Sequence, residues 1–186
     1  MKKNKLIILT TITIFTWQAC KKDSDLPKLP TPVNEPEVIT NIKLTFTDSA
    51  NTANVITAEF IDADGDGGNQ PTKFDTIRLK SNTTYFCKVA LYNGILDEEI
   101  TPEIEEEAND HLFVYKATGA DISITITDSD SNTPPLPIGI NSKWRAKSIS
   151  SGNVQVILKH QPGIKDGTEA PGDTDVELNF ITIINN

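Results

Sequence analysis

Cysteine is close to absent from this chain. Its 186 residues include two, Cys20 and Cys87, alongside two histidines and two tryptophans. So few thiols leave no disulfide framework to read. Aromatic residues make up 6% of the sequence, which is thin material for a sugar-stacking cleft. The motifs that carry common chemistries are missing too: there is no Gly-x-Ser-x-Gly, no His-Glu-x-x-His and no Walker loop. Positive charge is in deficit, with 17 Lys and Arg against 26 Asp and Glu and a formal net charge of −9. Such a surface repels phosphate backbones and argues against a nucleic-acid partner. Solubility alone is a sufficient reason for the acidity. A non-catalytic protein is the expectation, although abundant carboxylates leave a hydrolase open.

Long hydrophobic runs are lacking as well. The longest uncharged stretch runs from Leu6 to Cys20, and its mostly apolar or Thr part, Leu6 to Trp17, is twelve residues preceded by Lys2, Lys3 and Lys5. That suits the h-region of a signal peptide. It is short of the roughly 20 apolar residues that span a bilayer. The stretch ends in Trp17-Gln18-Ala19-Cys20, and a small residue before cysteine resembles the lipobox of bacterial lipoproteins. The resemblance implies cleavage before Cys20 and acylation of that residue, which would hold the protein on a membrane. Trp17 and Gln18 depart from the strict lipobox pattern, so an ordinary signal peptide is the alternative. Cleavage takes Lys plus Arg from 17 to 14 and leaves Asp plus Glu at 26, so the mature chain carries −12. Lys21-Lys22-Asp23-Ser24-Asp25 resembles the acidic export signal of Bacteroidota surface lipoproteins. That implies the outer membrane, on its cell-surface side. Residues 20–37 then hold the lipidated cysteine and a tether carrying Pro27, Pro30, Pro32 and Pro36.

From Val38 the pattern becomes that of β-strands. Ile42 to Phe46 alternates strictly, and so does Thr76 to Lys80. Val55–Ile61, Thr83–Tyr92, His111–Lys116, Ile122–Ile126, Asn153–Lys159 and Val176–Ile184 complete the set. Gly, Pro, Asn and Asp lie between them, and Asn93-Gly94 is a strong hairpin signal. Cys87 shares a strand face with Tyr85, Val89 and Leu91, which reads as a buried thiol. One short helix is expected near residue 101, with Thr101 as N-cap, Pro102 at N1 and glutamates in the first turns. The predicted fold is all-β: a single Ig-like or jelly-roll sandwich over residues 38–186, with one short helix, after a leader at 1–19 and a tether at 20–37.

Three groups could bind an ion. Asp62, Asp64, Asp66 and Asn69 lie in Asp-Ala-Asp-Gly-Asp-Gly-Gly-Asn, which matches the first half of an EF-hand loop. Lys73 stands where the loop's closing glutamate belongs, so the choice is between calcium held in a β-turn and a solvated Asp/Gly turn. Asp128, Asp130 and Asn132 form a fainter calcium candidate without the glycine. Glu107 and His111 are spaced i, i+4 and would converge if the helix continued that far, with His160 joining to hold a borderline ion such as zinc. A solvated acidic face with a histidine at a strand start is the alternative.

Several segments together resemble a family of small Bacteroidota lipoproteins of largely unknown role. They are the lipobox cysteine, Asp62 to Asn69, Asn82 to Tyr85, Ile100 to His111, Pro137-Ile138-Gly139, His160-Gln161-Pro162 and Gly172 to Phe180. Members are often labelled "type 1 periplasmic binding fold". That label implies two α/β lobes, whereas the strands here follow one another directly. The family offers no catalytic residues to carry over. The functional expectation is a lipid-anchored envelope module that binds calcium or a transition metal and assists an outer-membrane receptor. A structural or adhesive surface protein with calcium-stiffened loops is the second class.

Overall fold

Alternation places most of the strands. The computed structural model describes residues 37–65 and 68–186. The leader, Cys20, nearly all of the tether and Asp66 lie outside them. In β1 (Asn41–Asp48), Ile42, Leu44 and Phe46 turn inward and are fully buried. In β5 (Thr83–Asn93), Tyr85, Cys87, Val89 and Leu91 do the same. Residues two apart share a face, so each strand contributes a row to one core. Burial pushes the Cys87 thiol well above its ordinary pKa, as expected of a packing cysteine rather than a nucleophile.

β1 pairs antiparallel with β2 (Val55–Ile61) on one side and with β5 on the other. The short β3 (Lys73–Phe74) extends β2. Beyond β5 come β9 (Asn141–Ala146) and then β8 (Ile122–Ile126) at the edge. With β6 (Glu98–Glu99) pairing the end of β5, this sheet has seven strands. The second sheet has four, in the order β4 (Ile77–Lys80), β11 (Asp173–Asn185), β10 (Ser150–His160) and β7 (His111–Thr118). β4 runs parallel to β11, and the other pairs are antiparallel.

The two sheets pack together as a β-sandwich. Trp144 of β9 sits edge-on to Phe46 of β1 at 5.0 Å and to Tyr115 of β7 at 5.6 Å, so one indole bridges the layers. Its N–H donates to Ser142 Oγ at 2.8 Å, and the Tyr115 hydroxyl donates to the Gly139 carbonyl at 2.6 Å. Both polar tips are therefore satisfied in the core. Each fully buried Leu, Ile or Phe contributes about 1.5–3 kcal/mol.

The expected helix is present as α1 (Thr101–Glu106), with one correction at each end. Ile100 rather than Thr101 is the N-cap, and it offers no side-chain cap. Thr101 Oγ1 instead accepts the Leu91 N–H at 2.8 Å, because docking on β5 leaves that amide without a strand partner. At the other end Glu107 is the C-cap, so the helix stops before it can carry Glu107 and His111 onto one face.

Candidate metal centre

The site begins with a strand pairing. His111 opens β7, His160 closes β10, and the two are direct antiparallel partners. Facing residues on neighbouring antiparallel strands point the same way. Their rings accordingly stack, with centroids 4.8 Å apart and planes 5° from parallel. His111 shares its face with Phe113 and Tyr115, so both imidazoles end the inward-facing row of the four-stranded sheet. His111 is 0% and His160 4% exposed.

A β-bulge supplies the next group. Leu158 faces Val176, yet Lys159 faces Thr174, so Asp175 is an extra residue with no partner across the strand. A bulge re-aims side chains in this way. It brings the Asp175 carboxylate to the histidines, and both of its oxygens are buried without a hydrogen-bond donor among the described residues. The fourth group is Glu37, from the chain leading into β1. Its side chain is 5% exposed, Oε1 lies 3.4 Å from His111 Nε2, and Oε2 has no donor among the described residues. One ligand atom from each of Glu37, His111, His160 and Asp175 falls within 4.8 Å of all the others.

The ring of His111 is also oriented from behind. Its Nδ1 lies 3.2 Å from the carbonyl oxygen of Glu107. In the neutral ring a proton on Nδ1 donates there and leaves the Nε2 lone pair for an ion, and when the ring is protonated Nε2–H faces Glu37 Oε1. An imidazole whose far nitrogen is held by a carbonyl is the usual arrangement behind a metal-binding histidine. The charges are coupled. Burial opposes a proton on His111, but the hydrogen bond and charge of Glu37 outweigh it and hold its pKa above the ordinary value. Burial likewise works against Glu37, and His111 overcomes it to hold that carboxyl low. For Asp175 the relief falls short: burial first, then the negative charge of Glu37, outweigh the nearby histidines and push it up to about 6.

Two imidazole nitrogens and two carboxylate oxygens form a donor set for zinc or a similar first-row ion. The carboxylates neutralise a dication taken out of water. Tetrahedral ligands at zinc bond lengths lie about 3.3 Å apart, so the present spacing closes onto an ion with small side-chain shifts. A cleft of about 440 Å³ runs beside the cluster, lined by Glu37, Asp175, Phe60, Asp62, Val176 and Leu178 among others.

The sequence expectations fare differently at this site. His111 and His160 are together, as the zinc candidate required. The Glu107 side chain is not one of the four: the helix ends at Glu107, which meets His111 through its carbonyl, and Glu37 and Asp175 supply the carboxylates instead. In the first calcium candidate, Asp64 Oδ2 accepts the Asn69 side-chain amide at 2.6 Å, closing the loop on itself. Asp62 interacts with Asp64 and also lines the cleft, and Asp66 is outside the described residues. In the second calcium candidate the carboxylates already serve the loop. Asp128 accepts the N–H groups of Gly139 at 2.7 Å and Asn141 at 2.6 Å. Asp130 accepts those of Leu136 at 2.8 Å and Asn132 at 3.1 Å, and pairs with the Lys165 ammonium at 2.8 Å. Those oxygens organise a loop with donors already in place.

No family model, curated protein or solved structure matches the chain. Among the described residues, no helix is long and apolar enough to cross a membrane.

Proposed function

We propose that this protein is a non-catalytic binding module of the bacterial envelope, anchored by lipid at Cys20, whose sandwich holds one zinc-class ion on Glu37, His111, His160 and Asp175. The ion site is carried by one observation. Two carboxylates and two imidazoles converge within 4.8 Å, and three carboxylate oxygens are buried there with no hydrogen-bond donor among the described residues. Burying such oxygens unpaired is costly, and an ion removes that cost. The rival is a proton in place of the ion, shared among His111, Glu37 and Asp175. Export through a lipobox-like leader and presentation to an outer-membrane receptor are the cellular setting that fits the sequence.

Zinc binding to the purified chain separates ion from proton. Native mass spectrometry should show one zinc per chain, lost on His111→Ala/His160→Ala. With free zinc at about a hundred times the dissociation constant, the wild type gains about 2.7 kcal/mol of stability. Equal zinc affinity in the double variant sinks the site.

A further inference from the structure

The four candidate ligands come from four different places, and one is unlike the rest. His111, His160 and Asp175 belong to three neighbouring strands of the four-stranded sheet. Glu37 belongs to the segment that feeds β1 in the other sheet. From Thr40 onward that chain is fixed. Its N–H donates to the Tyr92 carbonyl at 3.0 Å, its carbonyl accepts from Asp62 at 2.9 Å, and its hydroxyl accepts the Gly94 N–H at 2.7 Å. Between Glu37 and Ile39 the hold is different. No main-chain hydrogen bond ties these three residues to other described residues. Val38 is 56% exposed, and only Ile39 packs partly on the core. The Glu37 carboxylate is therefore the main polar attachment of this strap, and it reaches the opposite sheet.

We propose that the ion is a clasp: bound to Glu37 and to the three strand residues, it fastens residues 37–39 across the open end of the sandwich, and its loss releases them. This rests on the ion site argued above. In the bound state the dication neutralises two carboxylates that face each other. With the ion removed, Glu37 keeps a 3.4 Å contact with His111 and faces the Asp175 carboxylate with no ion between them, and the segment that can leave is the one without main-chain bonds. Its departure opens the cleft walled by Phe60, Val176 and Leu178.

Hydrogen–deuterium exchange on the full chain tests this, with zinc as the probe and a chelator as its control. The amides of Val38 and Ile39 should exchange at least about tenfold more slowly with zinc. Those of the central β10 strand should change little. Glu37→Gln should still take up zinc through the other three ligands, with weaker affinity, and zinc should no longer slow the strap. If one zinc binds per chain but Val38 and Ile39 exchange at the same rate with and without it, the clasp is wrong and the ion site stands. The clasp is equally overturned if Glu37→Gln keeps both full affinity and full protection. If the wild type takes up no zinc at all, the ion site fails and the clasp with it.

Discussion

A single carboxylate shows how environment decides a residue's job. Asp130 lies in an Asp-Ser-Asp-Ser-Asn stretch that reads as an ion loop, yet its side chain is 0% exposed and its partner Lys165 1% exposed. Lys165 also donates to the Ala108 carbonyl at 2.7 Å, so the pair fastens the loop after β10 to the turn before β7. Burial alone would raise the Asp130 pKa. Lys165, two main-chain N–H groups and the Asn132 amide outweigh it and hold the carboxyl at about 2. Asp130→Asn leaves a buried ammonium unpaired and should cost about 3–5 kcal/mol, read from denaturant midpoints. The pH dependence follows in sign. The folded pKa lies below the ordinary 3.8, so this stabilisation is complete above that value and disappears as pH falls toward 2. It amounts to about 2 kcal/mol, and Asp130→Asn should lack that acid slope.

At the scale of elements, ends proved more informative than middles. α1 is six residues long and has no side-chain N-cap, so its place depends on docking. Ile104 is fully buried, and Thr101 serves β5. Thr101→Val keeps the shape and removes the acceptor of the Leu91 N–H, which should destabilise the fold by about 1–3 kcal/mol in equilibrium unfolding. A wild-type midpoint in that variant refutes this account of the helix. The Asn93-Gly94 signal did mark a hairpin, but the loop spans residues 94–97. Asn93 Oδ1 accepts the N–H groups of Ile95 and Leu96, both at 3.1 Å, and Asp97 takes the left-handed backbone at φ 56°. The side chain of Asn93 thus shapes a four-residue turn in place of the two-residue one. β9 was missed altogether. Its inward row is Ser142, Trp144 and Ala146, and two small residues around one indole give little hydrophobic alternation, although the strand lies inside the sheet.

For the whole molecule, the proposed anchor makes a claim independent of the ion. Cells grown with labelled palmitate should yield a labelled product from the wild type and none from Cys20→Ser, with the variant leaving the membrane fraction. An unlabelled wild type removes the envelope setting and the receptor partner, and leaves the metal question untouched. The two halves of the proposed function therefore fail separately.

Period-two patterning was enough to foresee an all-β sandwich, because burying one face of a strand demands alternation whatever its neighbours are. It placed β2 and β8 at their observed limits and located most of the other long strands. Cys87 was legible as a core residue for the same reason. The ion site was half legible: two histidines in a chain that has only two are conspicuous, and their strands were recognised. Their carboxylates were not. Val176, Leu178 and Phe180 imply a register that turns Thr174 inward, and only pairing with β10 creates the bulge that brings Asp175 there instead. Glu37 follows a proline in a stretch that reads as tether, and nothing local marks it as buried. Side-chain direction along a regular strand is a local property, whereas a bulge and a contact between sheets exist only once distant segments have packed.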